Sequence, residues 1–274
     1  MAAPETDRFP ASLILAGAGK MGGAMLLAWL DQGFDPRRIC VIDPQPSPQI
    51  VGLAAERGFA LNAPAAPPEV LVLAIKPQTL DEATALAPLA GPQTLVISIL
   101  AGKTIANIAA RFPQASAIVR AMPNLPAAVR RGIAALAASE AATPAQRAQA
   151  EALIAATGQF EWLADERLID AVTAVSGSGP AYVFYLAECL TQAAAALGLP
   201  PDVAARLARA TVEGAGELLF RSGESTPAEL RESVTSRGGT TAAALDVLMA
   251  PDGLAPLIER AVKAAQRRAE ALSG

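Results

Sequence analysis

Residues 13–24 read LILAGAGKMGGA, and the fold is decided there. The apolar run Leu13-Ile14-Leu15-Ala16 stops abruptly at Gly17-Ala18-Gly19, and Gly22 completes the pattern G-x-G-x-x-G. Met25, Leu26, Trp29 and Leu30 then recur at helical spacing. Strand, glycine turn and helix in that order is the context a dinucleotide-binding fingerprint requires. Gly17 permits the tight turn, Gly19 lets backbone approach a pyrophosphate, and Gly22 lets the helix lie close. The unpaired N–H groups and the positive dipole end of that helix then face phosphate.

Working outward, residues 38–43 (RICVID) form a β-branched run ending in Asp43, 21 positions beyond Gly22. That spacing suits an acid that accepts hydrogen bonds from the adenosine ribose. No cation stands between Asp43 and Arg57 to offset repulsion of a 2′-phosphate, so the cofactor expected is NAD(P)H with a lean to NADH. Asp43 before Pro44 also suits the start of a turn. Residues 46–58 carry a helical pattern, and 70–75 (VLVLAI) is a continuous apolar run of the kind buried on both faces of a parallel sheet. It leads into Lys76-Pro77. Ligands of open α/β sheets bind beyond the carboxyl ends of strands, which places Lys76 beside a cofactor, although a lysine there also serves as a plain solvated charge. Further strands are expected at 94–98 and 116–119, with another at 132–137. The alternation predicts an α/β Rossmann domain, a doubly wound parallel sheet, over residues 1–165.

From residue 166 to 274 the pattern is helical, with segments at 165–175, 180–197, 202–220, 226–234 and 254–273. Thr226-Pro227-Ala228-Glu229 is a capping box. Between Asp170 and Asp202 the one charged residue is Glu188, so the helix from Pro180 is apolar nearly all round. Such a helix must be covered on most sides. The equivalent helix of a second copy would do this, giving a homodimer through an all-α domain. A central position inside a single bundle is the alternative.

Bulk properties narrow the class. With 274 residues, 52% hydrophobic and 18% charged, the chain can bury a full core. A net charge of −4 without a basic run argues against nucleic acid as a partner. Residues 1–12 lack a basic head followed by an apolar core, so no signal peptide is expected. No stretch has the ~20 apolar residues of a membrane span. A cytoplasmic protein is expected, with Cys40 and Cys189 as buried free thiols. No metal-ligand spacing occurs. The chain has no histidine, which removes a Ser-His-Asp triad, a histidine base and a histidine-held metal.

The last informative stretch is 232–248, ESVTSRGGTTAAALDVL. Gly238-Gly239 ahead of a helix start offers backbone donors to a small carboxylate, and Ser236, Thr240 and Thr241 add hydroxyls. An ordinary capped helix start has the same look. Taken with GAGKMGGAM, LAIKPQ (73–78), RAMPN (120–124) and AVSGSGPAYVF (174–184), this stretch resembles the pyrroline-5-carboxylate reductase family over nearly the whole chain. The resemblance implies reduction of the ring C=N of Δ1-pyrroline-5-carboxylate to L-proline by NAD(P)H. It implies a helical dimerisation domain, with rings of dimers, and an active site formed between subunits. Matched residue by residue, Gly17, Ala18, Gly19, Lys20, Met21 and Gly22 would hold the pyrophosphate. Ala74, Lys76 and Pro77 would lie along the cofactor. Ser236, Gly238, Gly239 and Thr240 would grip the substrate carboxylate, and Thr241 would hydrogen-bond the ring nitrogen.

Two positions depart from the family pattern: Arg237 stands where proline is usual, and Leu125 replaces a hydroxyl in the MPN stretch. Neither removes a group on which the reaction depends. The missing histidine also fits. A cyclic imine protonates near neutral pH and then needs chiefly a hydride, whereas carbonyl reduction needs a proton delivered to the nascent alkoxide. Rival readings are a related imine reductase, a β-hydroxyacid dehydrogenase, or a non-catalytic NAD-binding protein. The dehydrogenase would want a lysine or histidine acid on the helix at 180–199, which has neither.

Overall fold

A computed structural model describes residues 8–64 and 66–273. Most of the stretch read for a leader therefore lies outside the described residues. The described chain divides into two compact units, one running to Gly177 and joined by the segment from Gln266, the other covering Ser178–Ala265.

In the first unit, β1 (Leu13–Ala16) leads through the glycine turn into α1 (Lys20–Asp31), then β2 (Ile39–Ile42), α2 (Pro48–Arg57) and the two-residue β3 (Ala60–Leu61). The chain continues as β4 (Val70–Leu73), β5 (Leu95–Ser98), α3 (Ile105–Arg111), β6 (Ala117–Met122), β7 (Gly132–Ala138), α4 (Pro144–Ala155) and β8 (Gly158–Trp162). One sheet results, ordered β3-β2-β1-β4-β5-β6-β7-β8. The strand order reverses direction beside β1, as a doubly wound sheet requires. One pair departs from the parallel pattern: β7 runs antiparallel to β6, with Met122 opposite Ala135. The reason is chain length. Residues 123–131 hold only a short 3-10 turn (Leu125–Val129), too little for a crossover helix. The sheet is therefore mixed at that end.

The central strands are buried on both faces. Leu13 and Leu15 join α1 and α4 in one hydrophobic layer with Met25, Leu26, Trp29, Leu153 and Ile154. Ile14 and Ala16 face the other layer with Leu71, Leu73, Ile108 and Phe112. The Trp29 indole N–H donates to the Leu153 carbonyl at 2.8 Å, so the largest core side chain also pairs its polar atom. Cys40 is buried in β2, and burial pushes its thiol up from the ordinary value. The helical segment after Asp165 belongs to this unit by packing. Its α5 (Ile169–Val172) buries Ile169, and a five-residue π-turn (Thr173–Gly177) buries Ala174.

The second unit is helical: α6 (Gly179–Ala196), α7 (Pro201–Arg221), α8 (Pro227–Ser233), α9 (Thr240–Leu248) and the start of α10 (Leu254–Ser273). The Thr226 capping box forms, its hydroxyl accepting the Glu229 N–H while the Glu229 carboxylate accepts the Thr226 N–H. α6 packs against α7 but has no fully buried residue. Phe184 is 57% exposed and Tyr185 63%. Cys189 on the same helix is half-buried rather than buried. Among the described residues, no helix is long and apolar enough to cross a membrane.

Candidate active site

The glycine turn is built by close backbone contacts. Gly17 takes φ +93° and donates its N–H to the Ile42 carbonyl at 2.8 Å. A Cβ on Gly17 would stand 2.7 Å from the Ala74 carbonyl oxygen, so the end of β4 presses directly on the turn. A Cβ on Gly22 would stand 2.1 Å from the Gly17 oxygen. Gly22 is thus required by the turn itself as much as by the strand. Gly19 differs: a Cβ there would meet nothing within 4 Å, which leaves open space where a pyrophosphate would approach. Gly19 is also the N-cap of α1 and supplies no side-chain cap. The first bonded amide is Gly23, donating to the Gly19 oxygen at 2.7 Å, so the amides of Lys20, Met21 and Gly22 stay available to an anion. A cleft of about 360 Å³ opens beside them, lined by Gly19, Lys20, Gly23, Ser47 and Gln49. The arrangement fits a dinucleotide pyrophosphate.

Asp43 starts the turn that its position before Pro44 suggested, and its carboxylate takes a second backbone partner as well. Its Oδ1 accepts the Gln45 N–H at 2.9 Å, the turn expected before Pro44. Its Oδ2 accepts the Ala18 N–H at 2.9 Å, which fastens the glycine turn to the end of β2. Asn62 completes the corner: its side-chain oxygen accepts the Asp43 N–H and its amide donates to the Asp43 carbonyl. Nothing in the sequence pattern singled out Asn62, which takes φ +54°, a left-handed value that asparagine tolerates.

Ala74 donates its N–H to the Ala16 carbonyl at 2.8 Å and touches both Gly17 and Gly22. Lys76 and Pro77 follow beyond the carboxyl end of β4, Lys76 exposed and opening a 3-10 turn closed by the Thr79 hydroxyl. On the far side of the sheet's carboxyl edge, Asn124 is buried and accepts the Ile133 N–H at 3.0 Å, while Leu125 is exposed. The structure also brings in a group that the sequence reading passed over: Arg120, inside β6, meets Glu166 and Asp170. The signal was a lone cation in the apolar run AIVRAM.

The other candidate residues lie in the second unit, within one tight stretch. Gly238 takes φ +71° and Gly239 is the N-cap of α9, again without a side-chain cap. The Gly239 N–H donates to the Ser236 oxygen at 3.0 Å, and a Cβ on Gly239 would collide with the Ser236 hydroxyl at 2.5 Å. The first helical bond is Ala243 to Gly239. The amides of Thr240, Thr241 and Ala242 are therefore available, beside the hydroxyls of Ser236, Thr240 and half-buried Thr241. Arg237 is exposed at the same turn.

A Rossmann sheet, a bare phosphate-facing helix start and open space at Gly19 define an NAD(P)-dependent oxidoreductase. Comparison with known proteins agrees and narrows this. Residues 166–272 match the family model for pyrroline-5-carboxylate reductase dimerisation, and 13–102 match that for NADP oxidoreductase, coenzyme F420-dependent. The chain is 41% identical to the pyrroline-5-carboxylate reductase of Pseudomonas aeruginosa, across 94% of its own length and 95% of that protein. It is 47% identical to the Synechocystis enzyme of the same name over 74% of its length and 75% of that protein. A solved pyrroline-5-carboxylate reductase from Coxiella burnetii superposes with a TM-score of 0.89 at 34% identity, covering 97% of this chain and 99% of that one. The chain belongs to the pyrroline-5-carboxylate reductase family.

Proposed function

We propose that this chain reduces Δ1-pyrroline-5-carboxylate to L-proline with NAD(P)H, the last step of proline biosynthesis, as a homodimer in the cytoplasm. The observation that carries the reading is the turn at 236–241. It offers uncapped α9 amides for a carboxylate and a hydroxyl on the helix's second residue, Thr241. The relatives that carry this chain's family name act on a cyclic imino acid of that shape.

The division of labour follows from the residues. Gly17, Ala18, Gly19, Lys20, Met21 and Gly22 bind the pyrophosphate through backbone and dipole, with Ala74, Lys76 and Pro77 alongside. The bound dinucleotide supplies the hydride. Ser236, Gly238, Gly239 and Thr240 hold the substrate carboxylate, which fixes the ring face presented for reduction. The Thr241 hydroxyl hydrogen-bonds the ring nitrogen and holds it in place as the C=N becomes an amine. No general acid is asked for once the ring nitrogen is protonated, in keeping with a chain without histidine. Asp43, placed at the end of β2, favours NADH over NADPH by repelling a 2′-phosphate. The exposed apolar face of α6 supports dimerisation, with rings of dimers as the further assembly.

The test is oxidation of NADH and of NADPH with Δ1-pyrroline-5-carboxylate, by wild type and by Thr241→Ala. Turnover by wild type and a fall of about 10-fold in the variant are expected. Folded wild type that oxidises neither dinucleotide rejects the reading. A variant with unchanged kcat and KM rejects the role of Thr241.

A further inference from the structure

Strand β6 is apolar apart from Arg120, whose side chain is 3% exposed. Its Nη1 donates to Glu166 Oε1 at 3.1 Å. Its Nη2 lies 3.8 Å from Asp170 Oδ1 and makes no hydrogen bond. The Asp170 oxygen it faces instead accepts the Ser273 hydroxyl at 2.9 Å. Glu166 Oε1 is shared as well, since it accepts the Ile105 N–H that opens α3 at 2.7 Å. One buried guanidinium thus ties β6 to the start of the 166–177 segment. The other end of that segment returns to the same strand. Its π-turn, a wide turn frequent at functional sites, ends at Gly177, where a Cβ would stand 3.1 Å from Met122 Cε. Met122 is the last residue of β6, two positions beyond Arg120.

We propose that Arg120 is a positioning residue: by bridging Glu166 and Asp170 it holds segment 166–177 on β6 and sets the Met122–Gly177 contact at the carboxyl edge of the sheet. Ligands of this fold sit beyond that edge, so a loosened segment there misplaces the reacting ring. The inference rests on the reductase reading for its catalytic consequence alone. The fork of arginine matters because it can meet two carboxylates at once, which the point charge of lysine cannot do with the same geometry.

The test is full-length Arg120→Lys beside wild type, with three readouts: kcat and KM for Δ1-pyrroline-5-carboxylate, NADH affinity by fluorescence titration, and hydrogen exchange across 166–177. Expected are NADH affinity within about twofold of wild type, kcat lower by about 10-fold or more, and faster exchange in that segment. Unchanged exchange overturns the proposal, as does a fall in melting temperature with kcat unaltered. So does an equal loss of kcat and NADH affinity, the mark of general damage. If Arg120→Lys fails to fold, Glu166→Gln takes its place. It retains an acceptor for the Ile105 N–H but weakens the pairing with Arg120, and wild-type kcat and exchange in it overturn the proposal. Wild type inactive on the substrate would reject the proposed function, while the exchange measurement still decides whether Arg120 holds the segment.

Discussion

Two apolar segments of similar hydrophobic character meet opposite fates in this chain. Trp29, Leu26 and Met25 of α1 are wholly buried, in the layer they share with α4. Along α6, Val183, Phe184, Tyr185, Leu186 and Leu190 remain exposed. The first unit covers α1 with its own sheet and α4, so the burial of that helix follows from one chain. In the second, α6 packs against α7 yet keeps much of its apolar surface exposed among the described residues. Exposed large apolar side chains clustered on one helix in this way mark an association site. The difference, beside the match to a dimerisation family, points to α6 as the surface that a second copy would cover.

The largest test of that contrast is Phe184→Glu. Full burial of one phenylalanine contributes about 1.5–3 kcal/mol, it is lost from both copies of a two-fold interface, and a carboxylate in its place must be desolvated. Sedimentation analysis should show wild type as a dimer or larger and the variant shifted to monomer, with NADH binding by the first unit retained. A variant that sediments like wild type would mean α6 is covered by something other than a second copy.

Next in size is a pair within the first unit, Gly22→Ala and Gly19→Ala. The Cβ of Gly22→Ala would stand 2.1 Å from a backbone oxygen that cannot swing away. About 1–3 kcal/mol of stability should be lost, with dinucleotide binding weakened too. Gly19→Ala meets open space, so its melting curve should stay within about 0.5 kcal/mol of wild type. Its Cβ nevertheless occupies the approach to the helix amides, and NADH affinity should fall by about 10-fold. Equal melting and equal affinity in the two variants would remove the distinction between a structural and a ligand-facing glycine.

Local sequence carries the first unit's core and not its edges. The continuous apolar runs at 13–16, 70–73 and 95–98 and the glycine turn carry their reading locally, because neighbouring residues alone force strand, turn and helix. The Thr226 cap forms as its spacing says. Short β3 has too few residues to show a period. In β8, GQFEW, a glycine and two polar residues interrupt the apolar signal. The antiparallel turn of β7 depends on a connection length, not on any residue within the strand. At the candidate site, the glycine turn and uncapped helix start at 238–240 could be read from residue types, since adjacent glycines need no distant partner. The roles of Arg120 and Asn62 could not. Each depends on residues far off in sequence, Glu166 and Asp170 in one case and Asp43 in the other.

The smallest predicted effect concerns Asp43, where two demands fall on one carboxylate. Both of its oxygens already accept backbone amides, from Ala18 and from Gln45, so it holds the glycine turn whichever dinucleotide is bound. Its charge, on the proposed reading, would in addition disfavour a 2′-phosphate. Asp43→Asn separates the two demands. The amide keeps one acceptor and loses the other, which costs about 1 kcal/mol, or roughly fivefold in affinity, for both cofactors. Removing the charge offsets that cost for NADPH alone. NADH should therefore bind about fivefold more weakly while NADPH is little changed, so the ratio of kcat/KM for NADPH over NADH rises by a similar factor. A variant in which both cofactors weaken equally would assign Asp43 to the turn and take cofactor choice away from it. A variant in which neither weakens would show that the Ala18 and Gln45 contacts do not set the affinity of the glycine turn.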